Sequence, residues 1–280
     1  MPRPLTRGIP GFEPKISLGQ NFLFDAELLA RLVRETGLGP GDDVLEIGAG
    51  RGDLTLALAA VCRRVVALEV DPRLEPVLEE RLRDVPNAQV VMADATEADI
   101  PALMGGLPFH VAANLPYYLT TPLLTMLLKL PAPIRSVSVM VQEEAAARIM
   151  AQPGTGEYGP LAVLTRWKAN PRAAAKIPAR MFTPPPKVDS VFLVMPFHAA
   201  PPVHVRDEAH FLRTVTAAFA MRRKTLLNNL MPAFGLSREE AKAVLQTAGL
   251  REDVRGEALN LAEFAALSNS LVGLRETDIP

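Results

Sequence analysis

Val44-Leu45-Glu46-Ile47-Gly48-Ala49-Gly50-Arg51-Gly52 decides the fold. It reads as a buried strand running into a glycine-rich turn and then into a helix from Leu54. Glycines let the backbone approach a ligand closely and adopt positive φ, and a helix start offers free N–H groups. The spacing is G-x-G-x-G and not the G-x-G-x-x-G of dinucleotide-binding turns, which argues against a nucleotide-dependent dehydrogenase.

On either side of this turn, strand-like and helix-like segments alternate. Apolar, β-branched runs predict strands at Asp43–Ile47, Arg64–Glu69, Gln89–Ala93, Phe109–Ala113, Ser136–Gln142 and Ser190–Pro196. Helical patterns fall at Leu54–Val61, Arg73–Asp84, Pro122–Leu130 and Glu143–Ala151, and a further strand is expected through Trp167–Ile177, interrupted at Asn170-Pro171. Such alternation predicts a mostly parallel sheet covered by helices on both faces. The last strand follows another with little helix between them, so it is expected to be antiparallel and at an edge.

Pro184-Pro185-Pro186 and Pro201-Pro202 flank that last strand, and beyond residue 204 the pattern is purely helical. Helices are expected at Asp207–Met221, Ser237–Ala248 and Leu261–Leu271, with a turn around Lys224–Leu230. Ser237-Arg238-Glu239-Glu240 is a capping box and Gly249 a helix stop. The expected organisation is an N-terminal arm (1–24), an α/β domain (25–200) and a small all-helical domain (204–280).

Two acidic residues stand at successive strand ends. Glu69 lies 19 residues beyond Gly50, where a carboxylate can accept from both hydroxyls of a ribose; Asp94 follows the third strand, where it can accept from an adenine amine. Ligands of open α/β sheets bind outside the carboxyl ends of the strands. After the fourth strand comes Asn114-Leu115-Pro116-Tyr117. An amine on a planar base is a poor nucleophile because its lone pair is delocalised. An Asn oxygen and a backbone carbonyl can hold both N–H bonds and turn the lone pair toward an electrophile. Pro116 stiffens the turn and removes a competing donor, and Tyr117 offers a face for a flipped base. Catalysis of this kind is mostly positioning.

The net charge of −1 conceals two halves. Residues 25–109 carry a balance of −8 and residues 110–224 one of +8, which suits a positive face over a polyanion. Arg222-Arg223-Lys224 is a compact cationic patch suited to RNA backbone. The four histidines lack metal-ligand spacing, the single Cys62 reads as a buried thiol, and no apolar run reaches membrane-spanning length. These features suggest a cytoplasmic protein without a metal.

Taken together, the motifs resemble those of the small-subunit ribosomal RNA adenine dimethyltransferases over nearly the whole chain. Leu18-Gly19-Gln20-Asn21-Phe22-Leu23 is similar to the family's N-terminal motif, Glu46 to Gly52 to its cofactor loop (with Ala49 where proline is usual), and Asn114-Leu115-Pro116-Tyr117 with Thr121-Pro122 to its catalytic motif. Gln142-Glu143-Glu144, Tyr158-Gly159-Pro160-Leu161, Phe182 to Ser190 and Arg222 to Leu226 complete the match, while Tyr118 departs from a position often held by Asn. The resemblance implies a Rossmann-like class I methyltransferase sheet with a small helical C-terminal domain. It implies S-adenosylmethionine as cofactor, contacted by Asn21, Leu23, Gly48, Glu69, Asp94 and Asn114, with Leu115 and Tyr117 handling the base. The implied substrate is two adjacent adenosines near the 3′ end of small-subunit rRNA in a pre-30S particle, modified by a monomer. Phe182 is expected to stack a base and Lys187 to lie near phosphate. Two alternatives remain: a large-subunit rRNA adenine methyltransferase of the macrolide-resistance type, and an rRNA-binding assembly factor.

Overall fold

A computed structural model describes residues 19–277, with side chains to residue 272. Leu18 and the earlier part of the expected N-terminal arm lie outside the described residues. In chain order the strands are β1 (Phe22–Leu23), β2 (Asp43–Ile47), β3 (Arg64–Glu69), β4 (Ala88–Met92), β5 (Phe109–Asn114), β6 (Ile134–Gln142), β7 (Arg172–Ile177), β8 (Phe182–Thr183) and β9 (Ser190–Pro196). The helices are α1 (Ala26–Thr36), α2 (Asp53–Ala59), α3 (Glu75–Leu82), α4 (Ile100–Leu103), α5 (Thr120–Lys129), α6 (Glu143–Met150), α7 (Pro160–Lys168), α8 (Glu208–Ala218), α9 (Leu226–Phe234), α10 (Arg238–Thr247) and α11 (Leu261–Thr277).

Seven strands form one sheet in the order β4-β3-β2-β5-β6-β9-β7, parallel from β4 to β6. β9 is antiparallel, as expected, but it is not at the edge: it runs between β6 and β7 and pairs with both. The reason lies in burial. Five of the seven β9 residues are buried, whereas β7 is half alanine and has one buried residue of six, so β7 can stand at the edge.

The chain leaves β2 toward β3 and β4 on one side and returns through β5 and β6 on the other, which makes the β2–β5 boundary the switch point of the sheet. α1 is not among the helices expected from the sequence, although its buried Leu28, Leu29, Leu32 and Val33 recur at helical spacing. Asp25 caps it by accepting from the Leu28 amide at 2.9 Å, and Gly37 at φ 74° ends it. Its apolar stripe joins Val44, Val65, Ala112, Met140 and Phe192 in one buried hydrophobic cluster.

Contacts divide the chain into two compact units, one ending within α6 at Ala146 and resuming at Pro171–Phe197, the other made of Ala147–Asn170 with His198 onward. The excursion 147–170 thus groups with the C-terminal helices. It also corrects one element: Trp167 and Lys168 end helix α7, and the strand begins only at Arg172. Trp167 packs on Phe211 of α8, ring centres 4.7 Å apart, so an aromatic that looks strand-like serves a helix–helix contact. The expected turn around Lys224–Leu230 is largely α9, with Pro232 inside it; the proline disguised a helix whose Leu226, Leu227 and Leu230 are buried. The capping box at Ser237 and Glu240 is present in α10.

Candidate active site

The turn after β2 is held by the neighbouring strand. Gly48 and Ala49 both donate to the Leu68 carbonyl at 2.9 Å, and Gly50 donates to Glu69 Oε2 at 2.7 Å. Glu69 Oε1 accepts from the amides of Val70 and Asp71 at 3.0 and 2.9 Å. Burial raises the pKa of Glu69, and these three N–H groups pull it back. The carboxylate is therefore fixed in position at the end of β3. Gly50 has φ 57°, the left-handed region that favours glycine, and a Cβ there would press on the Phe22 ring at 3.1 Å. Arg81 of α3 fastens the far side of the turn, donating to the Arg51 carbonyl at 2.6 Å and pairing with Asp53 at 2.7 Å.

Across the switch point, Ile47 pairs with Ala113, and Asn114 follows at the β5 end beside the glycine turn. The Asn114 amide is oriented by a partner that can only accept: Nδ2 donates to the Asn21 carbonyl at 2.9 Å. Oδ1 is left as an acceptor. Asn21 in turn donates to the Gly19 carbonyl at 3.1 Å. Gly19, at φ 60°, lies so close that a Cβ would meet Pro116 at 3.1 Å and Tyr118 at 3.3 Å. The described part of the arm thus sits on the Asn114–Tyr117 loop, and Leu23 of β1 pairs with Phe182 of β8 to pin it there.

Gly19 to Leu23, Leu29, Glu46, Gly48 to Arg51, Asp53, Leu54, Glu69, Val70, Asn114, Pro116 and Met140 line one cleft. The structure therefore brings together Asn21, Leu23, Gly48, Glu69, Asn114 and Pro116 of the expected site. Leu115 is buried at 2% exposure, which leaves its backbone rather than its side chain for contact. Tyr117 is half-buried, its hydroxyl 3.4 Å from Ser190 Oγ. Tyr118 is exposed. Asp94 is exposed and outside this lining, and its Oδ1 is held by the Thr96 amide and hydroxyl at 2.8 and 2.7 Å. Sequence reading missed Gln20, Arg51 and Met140. Gln20 bonds Asp71 at 2.9 Å, and Met140 enters because β6 pairs it with Asn114, a register no local pattern reveals.

The residues expected to meet RNA fare differently. Phe182 is 2% exposed and packs with Leu23, Leu28 and Ile177, so its ring is not a free stacking face. Lys187 is exposed. Arg222 donates to the Gly156 carbonyl at 2.7 Å and lies 3.6 Å from Glu257, a structural engagement within its own unit. Arg223 and Lys224 are exposed. A separate open groove in the first unit carries Arg31 and Arg34 of α1, Lys176 of β7 and Arg180 of the turn after it, beside Asp25 and Glu27 and with Lys176 paired to Glu143 and Asp189; the sequence reading did not connect these cations because they come from different elements.

His110 is tied to Ser136 and Asp42, and burial lowers its pKa. Cys62 is buried, its pKa pushed up to about 11 by burial. Among the described residues no group of three His, Cys, Asp or Glu side chains could hold a metal ion, and no helix is long and apolar enough to cross a membrane.

A sheet of this order, with a glycine turn and an Asn-Leu-Pro-Tyr loop meeting at its switch point, defines a class I methyltransferase. Two solved structures share it over most of their length. One is the 23S rRNA methyltransferase ErmE, with TM-score 0.69, 29% identity and coverage of 90% of this chain and 100% of that one. The other is a dimethyladenosine transferase from Plasmodium falciparum, with TM-score 0.73, 21% identity and coverage of 91% and 98%. The particular family follows from the sequence match: residues 11–272 fit the ribosomal RNA adenine dimethylases, and the chain belongs to that family. Its relatives include the ribosomal RNA small subunit methyltransferase A of Shouchella clausii, 43% identical over 96% of this chain and 93% of that protein. That of Geobacillus thermodenitrificans is 40% identical over 94% and 93%.

Proposed function

We propose that this chain transfers methyl groups from S-adenosylmethionine to N6 of two adjacent adenosines in the 3′-terminal hairpin loop of small-subunit rRNA, giving N6,N6-dimethyladenosine. The observation that carries the reading is Asn114: its amide nitrogen is anchored on the Asn21 carbonyl, so its oxygen is presented as an acceptor beside the glycine turn. An acceptor oriented before the substrate arrives costs no reorganisation during reaction.

The cleft fits the cofactor by its own chemistry. Glu69 is fixed by three backbone N–H groups and retains lone pairs for ribose hydroxyls, and buried, unpartnered polar atoms of Glu46 and Arg51 await a charged ligand. The cofactor supplies an activated methyl group, so the protein needs no strong base. Asn114 Oδ1 and the Leu115 carbonyl would hold the two amine protons, Pro116 offers no competing donor, and the ring of Tyr117 would support the base. Asp94, whose Oδ1 is held by Thr96, would offer Oδ2 to an adenine amine. Arg223, Lys224, Lys187 and the Arg31–Arg180 groove would meet RNA phosphates, in an assembling subunit in the cytoplasm, with the protein acting as a monomer.

The test is methylation of undermethylated small subunits with mapping of the modified bases. Two dimethylated adenosines near the 3′ end are expected. Methylation of large-subunit RNA alone would favour the ErmE-like alternative, which the likeness to that enzyme keeps in view; the small-subunit relatives at 40% identity and above weigh against it. Subunit binding without methyl transfer would favour an assembly factor.

A further inference from the structure

Two aromatic side chains were expected to meet RNA bases, and the fold restricts both. Phe182 lies in the core, and Tyr117 is half-buried with its hydroxyl toward Ser190. Among the described residues one aromatic side chain is exposed, and it is the neighbour of the second: Tyr118, at 56%. A lone exposed apolar side chain is ordinary on a protein surface. Tyr118 is set apart by where it stands and by how it is mounted.

Its ring stands at the rim of the cleft. Gly19 and Pro116 both line the cleft, and a Cβ on Gly19 would meet Pro116 at 3.1 Å and Tyr118 Cε1 at 3.3 Å. One edge of the ring is thus braced against the arm. The mount below it is rigid. Pro116 precedes a single helical turn, Tyr117–Leu119, closed by the Leu119 amide donating to the Pro116 carbonyl at 3.0 Å, and the turn runs straight into α5. α5 is anchored by the buried Leu123, Leu124, Leu127 and Leu128. An apolar face fixed before its ligand arrives loses little conformational freedom on binding.

The chemistry at the cleft creates a need for such a face. An adenosine whose amine meets Asn114 has left its stack, and the base beside it has lost a partner on one side, which costs energy. An aromatic ring can take the place of that partner, and it tolerates any base because every base has a π-face. Resting on the function proposed above, we infer that Tyr118 is a substrate-positioning residue, whose exposed ring stacks on the base adjacent to the adenosine held in the cleft. The stack keeps the RNA strand open at the rim while the methyl group is transferred. A Tyr118 that only braced Gly19 would act on the cofactor cleft; a Tyr118 that stacks acts on RNA alone.

The test is steady-state methylation of undermethylated small subunits by the wild type, Tyr118→Ala, Tyr118→Phe and Tyr118→Trp, with calorimetric titration of each chain by S-adenosylmethionine. Tyr118→Ala should raise KM for subunits by about five- to a hundredfold, the span set by loss of one base–aromatic stack. Tyr118→Phe and Tyr118→Trp should restore it, because the face of the ring and not its hydroxyl makes the stack. Cofactor affinity should be the same in all four chains. The salt dependence of subunit binding should keep its slope, since no cation is removed. Small subunits carrying 2-aminopurine next to a target adenosine give a direct readout. At saturating enzyme, its fluorescence should be quenched more strongly by the wild type than by Tyr118→Ala. Weakened cofactor binding in Tyr118→Ala overturns the inference in favour of bracing of the arm. A raised KM with equal fluorescence at every such position overturns it in favour of contact with a ribosomal protein, and an unchanged KM overturns it outright. A wild-type chain that neither binds S-adenosylmethionine nor methylates small subunits overturns the methyltransferase reading itself, and the inference with it.

Discussion

The loop Asn114–Tyr117 and the turn Arg222–Thr225 are both motifs of the resemblance, yet they use their polar side chains in opposite ways. At Asn114 the backbone of another segment takes up one end of the amide and leaves the other end facing a cleft. At Arg222 the guanidinium is spent on the fold, on the Gly156 carbonyl and toward Glu257. A motif match reports that a residue type is needed; the unspent hydrogen-bonding capacity reports whether it is needed for chemistry or for packing.

Four variants can break or sharpen that contrast. Asn114→Ala should reduce methyl transfer by at least about 100-fold, the usual scale for removing an oriented polar group from a reacting centre. Its unfolding midpoint should barely move, and a rate within a few-fold of wild type would remove the clamp from the mechanism. In the helical unit, a Cβ on Gly256 would lie 2.5 Å from the Ala218 carbonyl oxygen. Gly256→Ala should therefore cost about 1–3 kcal/mol in denaturant unfolding; an unperturbed midpoint would show that the backbone there yields. Arg222→Ala should cost about 1 kcal/mol of stability through its lost hydrogen bond. If it instead leaves stability alone and weakens RNA binding, the contrast drawn here fails. Arg223→Ala combined with Lys224→Ala should leave stability intact and lower the salt-dependence slope of RNA binding by about two. An unchanged slope would shift attention to the groove of Arg31, Arg34, Lys176 and Arg180.

Much of the first unit was legible because its signals are local. Strands β2, β3 and β9 fall on the expected residues, since a strand buried on both faces, parallel like β2 and β3 or antiparallel like β9, is a nearly continuous apolar run. The glycine turn, Glu69 and Asn114 were legible for the same reason: each stands at the end of such a run. α7 and α9 were not, because Trp167, Pro171 and Pro232 are ambiguous until their neighbours are known. Phe182 looked like a surface aromatic in a proline-rich loop, and only the pairing of β8 with β1 shows that it belongs to the core.

Sequence alone determined the class of sheet, the cofactor turn and the family, because backbone conformation at glycine and apolar periodicity are written residue by residue. Tertiary structure alone decided which polar groups remain unspent. Hydrogen-bond satisfaction depends on partners from distant segments: Asn21 for Asn114, Gly50 for Glu69 and Gly156 for Arg222.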